Sequence, residues 1–347
     1  MNLKQLAEFL GLSQTTVSRA LNGYPEVKEA TRLRVEAAAR AHGYRPNTRA
    51  KSLATGRAMA IGHVIPISTK HEMVNPVFAD FIAGAGEQYS RAGYEMHLSV
   101  VKDEDEARVY HELASTGSVD GVIVHSPRVE DPRIGLLRGT GMPFVVHGRA
   151  SGESAPYSWL DVNNRRAFAR ATGFLLDLGH RRIALINGLE EMDFALRRRR
   201  GYETALAERS VAVDPALMTS DEMTETNGHR AARAMLALPD PPTAFLVSSM
   251  ISALGVRRAI EERGLRLGRD VSLVTHDDDL SYFRNSDRVE EPIFTATRSS
   301  VREAGRLAAE MLLSIIENPA SAPRTRLLEA ELTLGRSTGP ARAKAAS

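Results

Sequence analysis

The first apolar residues of the chain, Leu3, Leu6, Ala7 and Leu10, recur at i, i+3, i+4 and i+7, which is the stripe of an amphipathic helix. Gly11 breaks that helix, and Ser13 is placed to N-cap a second one with Thr16 in its first turn. In the second helix Val17, Ala20 and Leu21 face inward. Gln14, Thr15, Ser18 and Arg19 are left outward, and Asn22-Gly23 supplies the stop. "EATRLRVEAAARAHG" predicts a third helix ended by Gly43. Two short helices joined by a tight glycine turn and followed by a third make a helix-turn-helix unit. Beyond Pro46, Asn47 can cap a short helix over Thr48 to Thr55. So short a helix is marginal alone in water, so this segment is expected to be a hinge helix that forms when something binds it.

From Met59 onward the period changes. "AIGHVIPI", "YEMHLSVV", "DGVIVHS", "PFVVHG", "RRIALING", "TAFLVSS" and "DVSLVTHDD" are short β-branched runs. They alternate with helical stretches at Phe78–Ala92, Glu104–Ser115, Arg165–Leu178, Arg197–Arg209, Gly228–Leu238 and Ser252–Arg263. That rhythm predicts parallel sheets covered by helices. With about ten to twelve strand candidates, two doubly wound lobes fit better than one small sheet. The expected architecture is a small all-α helix-turn-helix head on an α/β core of two doubly wound lobes. The head takes residues 1–45, the hinge 46–58 and the core 59–338. Within the core the first lobe is expected at about 59–160 and 293–324, and the second at about 161–292 and 325–338. Residues 339–347 read as a disordered tail without the leucine heptads of a tetramerising coiled coil.

Charge sharpens this division. The whole chain is only +2, yet ten bases and four acids lie between Met1 and Arg57. A basic head on a mildly acidic body suits a polyanionic partner for the head. Cysteine is absent, which excludes disulfides, thiolate catalysis and cysteine-based zinc sites and fits a reducing compartment. "MNLKQLAEFLG" has no apolar signal core, and no segment is long and apolar enough to span a bilayer. A cytoplasmic protein is expected. No GxGxxG follows the first strand, and there is no P-loop, GxSxG or metal-ligand spacing. Neither catalysis nor a cofactor or metal is expected. The rival readings are a solute-binding protein, which the head argues against, and an enzyme of sugar metabolism built on the same core.

Taken in order, several motifs resemble the LacI/GalR family of bacterial transcription regulators over nearly the whole chain. The head carries "LKQLAEFLGLSQTTVSRALNG", "VKEATRLRVEAAARAHGYRPN" and "AKSLATG"; the body carries "NPVFADFIAGAGEQYSRAGY", "DGVIV", "LGHRRIALING", "RRRRGYETAL", "ALGVRRAI" and "VSLVTHDD". Lys28 departs from the pattern, where relatives often have a Ser or Thr cap. The resemblance implies a homodimer on a pseudo-palindromic DNA operator, with each head in a major groove and paired hinge helices in the central minor groove. It also implies a core with the fold of periplasmic sugar-binding proteins, in which a small ligand between the lobes controls operator affinity, most simply as a repressor. A sugar is the implied ligand. An α-glucoside is the finer reading, from a loose likeness of "SWLDVNN" and "THDDDL" to sugar-responsive members.

For DNA, the exposed face of the second helix offers Ser13, Gln14, Thr15, Ser18, Arg19 and Asn22. Gln pairs with adenine, and Ser or Thr bonds bases or phosphates. The resemblance puts the base-reading positions at Gln14 and Thr15, while Arg19 suits either guanine or phosphate. It also makes Leu53 a wedge between central base steps, flanked by Asn47, Ala50 and Lys51 in the groove or on phosphates; the alternative for Leu53 is packing against its dimer mate.

For the ligand, the resemblance assigns Arg198, three residues before Gly201, and Asp277. A guanidinium fork can hold vicinal hydroxyls or a carboxylate. The other arginines of "RRRRGY" are expected in solvent or in salt bridges, and Asp278 and Asp279 in a loop or cap. Further pocket positions are Phe78 (ring stacking or core), His125 at a strand end, Arg149 after "PFVVHG", Asp161 at the lobe crossover, Met223 where relatives place an aromatic, and Ser249 where relatives have another polar group. Met250 follows Ser249 where relatives often have Asp. Thr275 and His276 replace the usual Gly and aromatic residue, so His276 is either a pocket residue or a helix-end polar group. His125, His147 and His276 come from both lobes and are not read as a metal triad.

Overall fold

The structure is a computed structural model that describes residues 1–21, 23–44, 56–66, 75–286 and 291–342. Two compact units part after Met59. In the head, α1 (Leu3–Leu10) opens with a reciprocal cap in which Asn2 and Gln5 each accept the other's backbone N–H. It ends at Gly11, whose φ of 63° only glycine adopts without strain. For α2 (Gln14–Leu21), Ser13 Oγ accepts the Thr16 N–H at 3.0 Å. α3 (Glu29–Ala41) starts at Lys28 without any side-chain cap bond, so the departure seen in the sequence has a structural counterpart. Leu6, Ala7, Leu10, Val17, Ala20, Val35 and Ala39 form the core of the head. Asn22, Asn47, Ala50, Lys51 and Leu53, and the hinge helix expected over Thr48 to Thr55, lie outside the described residues.

Among the described residues the body contains two six-stranded sheets. The first comprises β1 (Ala60–Pro66), β2 (Glu95–Val101), β3 (Gly121–Val124), β4 (Phe144–His147), β5 (Trp159–Val162) and β11 (Thr325–Leu328), in the order β11-β5-β4-β3-β1-β2 and all parallel. The second comprises β6 (Ile183–Asn187), β7 (Met218–Ser220), β8 (Ala244–Val247), β9 (Ser272–Asp277), β10 (Thr295–Arg298) and β12 (Glu331–Thr333), in the order β12-β10-β9-β8-β6-β7, with only β12 antiparallel. Parallel strands need crossover helices. On the first sheet α4 (Pro76–Ala92) and α11 (Val301–Glu317) share a core with Ile61, Ile123, Val145 and Leu160, while α5 (Glu106–Thr116) and α6 (Pro132–Thr140) also contact one another. The second sheet is covered on one side by α7 (Asn164–Asp177) and α8 (Asp193–Glu208), and on the other by α9 (Glu225–Leu236) and α10 (Met250–Glu262). Helix pairs approach closely at glycines: Gly84 and Gly305 each lie against backbone of the opposite helix, as do Gly228 and Gly255.

Two expectations are corrected here. The lobe boundaries shift: Thr295–Arg298, expected in the first lobe, pairs with β9 in the second sheet, and Thr325–Leu328, expected in the second, pairs with β5 in the first. All of Trp159–Val162 stays in the first sheet. Hydrogen-bonded partners decide lobe membership, and linear order does not show them. The tail expected to be disordered from residue 339 is held through Arg342. The Gly339 carbonyl meets His180 Nε2 at 3.0 Å, Ala341 N–H donates to Leu178 O at 2.8 Å, and Arg342 pairs with Asp270.

Candidate functional site

Parallel sheets present ligands at the carboxyl ends of their strands, and the body has a cavity of about 770 Å³ there. His125 and His147 reach it from β3 and β4, Asp161 from β5, Ser248 from just past β8, and His276 and Asp278 from β9 and the residue beyond. Apolar walls come from Phe78, Phe194, Ile251, Leu254, Leu280 and Phe283. The lobes are also tied directly: Asp193 N–H donates to Pro127 O at 3.0 Å, and Ser281 N–H to Asp80 Oδ2 at 2.7 Å.

Arg198 is the buried cation of this site. α8 begins at Asp193, about one turn earlier than the apolar pattern suggests, so the arginine run winds round its second turn. Arg197 pairs with Asp193, and Arg199 with Glu190 and Glu203. Arg198 alone of these turns inward, between the rings of Phe168 and Phe194 at 5.1 and 5.0 Å. Its Nε donates to Asn164 Oδ1 at 2.8 Å and its Nη1 to Ser248 O at 2.6 Å. A guanidinium has five N–H donors, and these bonds use two. Burial lowers its pKa to about 10, opposed by the nearby carboxylates of Asp278 and Asp161. Asp161 is tied by Arg149 Nε at 2.7 Å, and Arg149 lies over the Trp159 ring at 4.8 Å. Asn164 Nδ2 meets Asp161 Oδ1 at 3.4 Å, so Arg149, Asp161, Asn164 and Arg198 form one polar chain across the lobe crossover.

The residues foreseen for the ligand divide. Phe78, His125, Asp161, Arg198, Met223 and His276 line the cavity; Arg149, Ser249 and Asp277 do not. Ser249 caps α10 through the Ser252 N–H. Asp277 turns its Oδ1 to the Asp279 N–H at 2.9 Å, and Asp278, expected in a loop or cap, takes the cavity-facing place. Side chains alternate along a strand, so His276 and Asp278 share a face that Asp277 cannot. That alternation was the signal available in "VTHDD". Asn164, Ser248 and Phe194 left no such signal, because long-range packing alone brings them to Arg198.

Burial raises the Asp278 pKa to about 7 against the pull of Arg198, and lowers that of His276 well below its ordinary value, helped by the same arginine. His276 Nδ1 meets Thr297 Oγ1 at 2.9 Å, and its Nε2 stands 3.5 Å from Asp278 Oδ1. On the first lobe His63 Nδ1 and His125 Nε2 are 2.9 Å apart, and His63 Nε2 is 3.2 Å from the Tyr89 hydroxyl. Burial lowers the pKa of His63 to about 3 and of His147 to about 4. Neutral rings of His125, His147 and His276 therefore line the cavity together with Arg198 and the raised carboxyl of Asp278.

On the head, Ser13 just before α2 and Gln14, Thr15 and Arg19 on it are exposed and Ser18 is half-buried, while Val17 and Ala20 are buried behind them.

Residues 2–47 match the model for bacterial regulatory proteins of the lacI family, and residues 172–338 that for a periplasmic binding protein-like domain. The chain is 47% identical to the HTH-type transcriptional regulator AglR of Rhizobium meliloti (strain 1021), covering 98% of this chain and 95% of that one. The protein belongs to the LacI family. Like its relatives in that family it is a helix-turn-helix transcriptional regulator. The HTH-type transcriptional regulator RafR of Escherichia coli is 34% identical over 91% of this chain and 92% of its own. Among solved structures, a complex of the transcriptional regulator CelR with cellobiose matches with a TM-score of 0.71 at 29% identity, covering 96% of this chain and 99% of that one. A Lac repressor dimer bound to operator matches with a TM-score of 0.79 at 25% identity, covering 96% and 98%. No helix among the described residues is long and apolar enough to cross a membrane.

Proposed function

We propose that this LacI-family member is a cytoplasmic, homodimeric repressor whose operator affinity is set by a sugar in the cleft, with α-glucosides the preferred class. The observation that carries this is Arg198, clamped between two phenylalanine rings and facing a cavity also lined by His125, His147, His276, Asp161 and Asp278. A fork beside flat apolar walls suits a ligand with vicinal hydroxyls on one edge and C–H faces on the other. The cellobiose complex of CelR supports a sugar as the ligand class. Gln14 and Thr15 read bases, Arg198 and Asp278 hold the sugar, and the chain turns over no substrate.

Binding to one of two body conformations shifts their balance by the difference in affinity, and linkage makes the effect reciprocal. The test is a thermal-shift panel of maltose, trehalose, sucrose, raffinose and cellobiose. A sugar at a hundred times its Kd adds about 2.7 kcal/mol. Each hit is then titrated against an operator complex. Stabilisation by the α-linked sugars with release of operator is expected. A response to cellobiose alone would overturn the α-glucoside reading, and turnover of any hit would overturn the non-enzymatic one.

A further inference from the structure

Asp278 occupies an unusual position in this cleft. It follows the last residue of β9, its side chain is only 18% exposed, and it faces the cavity. Its backbone is fixed, because the Val301 N–H at the start of α11 donates to its carbonyl at 3.0 Å. The neighbouring charged and titratable groups can be named element by element. From α8 comes Arg198, which no carboxylate among the described residues bonds directly. From β9 come His276, at 3.5 Å, and Asp277, whose carboxylate is committed to the next turn. Asp279 is paired with Arg298 of β10, and Asp161 of β5 with Arg149. Across the cavity His125 and His147 of β3 and β4 are held neutral by burial. Elsewhere on the cavity wall Glu106 and Asp131 are paired with Arg133, Asp221 with Arg230 and Glu225 with Arg258, while Arg128, Glu191 and Glu222 also line it. Around the arginine clamp, the charge balance turns on Arg198 and Asp278.

We propose that Asp278 sets the charge class of the ligand: its carboxylate balances Arg198 and admits neutral polyhydroxy ligands, while the protonated acid leaves Arg198 to pair with a ligand carrying its own acid group. This rests on the sugar reading above and adds a proton to it. A carboxylate accepts hydrogen bonds from sugar hydroxyls, whereas a protonated acid must give up part of that capacity. An anionic ligand beside an ionised Asp278 meets like charge in a low-dielectric site, and beside the neutral acid it meets only Arg198. The pKa of about 7 places the exchange near neutrality. Neutral sugar binding should release a proton, and acidic sugar binding should take one up.

The experiment is calorimetric titration of wild type and Asp278→Asn with maltose and with maltobionate, its aldonic acid, at pH 6 and pH 8. One linked proton centred near pH 7 changes affinity about tenfold across that interval. In wild type, maltose should bind about tenfold more tightly at pH 8 and maltobionate about tenfold more tightly at pH 6. In Asp278→Asn both dependences should vanish, with the balance moved toward maltobionate. Equal maltose affinity at the two pH values, or the wild-type dependence surviving in Asp278→Asn, would overturn the proposal. A second measurement separates this from the sugar reading: carbon-13 NMR of aspartate carboxyls in the free protein. One carboxyl titrating between pH 6 and 8 and lost in Asp278→Asn is expected, whatever the fate of the sugars. Its absence overturns the proposal even if maltose binds.

Discussion

Replacing Arg198 by methionine keeps an unbranched side chain between Phe168 and Phe194 but removes the charge and every donor. Asn164 Oδ1 and Ser248 O lose bonds of 2.8 and 2.6 Å from a cation. Hydrogen bonds to charged groups contribute about 1.5–3 kcal/mol each. Removing one side of a buried charge arrangement costs about 3–5 kcal/mol overall. At roughly 2–4 °C per kcal/mol for a unit of this size, the melting temperature of the body should fall by about 6–20 °C. The pH dependence is more discriminating. Asp278 has a raised folded pKa, so its burden on stability is absent below the unfolded value near 3.8 and fully present above about 7. Arg198 is the group that limits the rise. Without it the folded pKa climbs further, and the loss of stability continues above pH 7. The gap between wild type and Arg198→Met should therefore widen from pH 5 to pH 8.5 in thermal unfolding followed by circular dichroism, and Asp278→Asn in the same background should close much of the widening. A gap independent of pH would refute the electrostatic coupling of the two residues, and an unchanged melting temperature would refute the clamp itself.

Three further outcomes are expected of the head and body. Lys28→Ser should stabilise the head by about 0.5–2 kcal/mol, because it supplies the N-cap bond that α3 lacks; denaturant unfolding of the full chain, read on the head transition, checks it. Gly255→Ala should destabilise the body by about 1–3 kcal/mol, since the new Cβ would press on the Glu225 carbonyl and lie 2.6 Å from His229 N, so a variant with wild-type stability would remove the close crossing of α9 and α10. Gln14→Ala and Thr15→Ala should alter the base preference recovered from randomised operators, while the affinity for any one site still falls with salt at a log–log slope of about −0.9 per phosphate neutralised.

Much of the fold was legible in local pattern. The stripe of Leu3, Leu6, Ala7 and Leu10, the break at Gly11 and the cap at Ser13 reappear in the head, because helix period and capping are decided within a few residues. The interior strands β1, β3, β4, β6, β8 and β9 announce themselves as apolar runs, since strands buried on both faces must be apolar throughout. β7 and β12 have three residues each, and β11 is largely exposed; these elements exist only through their neighbours.

The candidate site divides along the same line. Arg198 was legible as a position in a motif, and the outward face of α2 as a polar surface. That Arg198 alone of its run points inward depends on where α8 begins, and on Phe168, Phe194, Asn164 and Ser248 arriving from separate elements. The exchange of Asp277 for Asp278 has a simpler origin, because strand alternation admits one of two adjacent carboxylates to the cavity and commits the other to the turn. Short-range periodicity and capping thus dictated which elements form. Lobe membership, the inward arginine and the poised carboxyl awaited tertiary packing, because burial and the company of distant charges are properties of the assembled fold that no window of sequence contains.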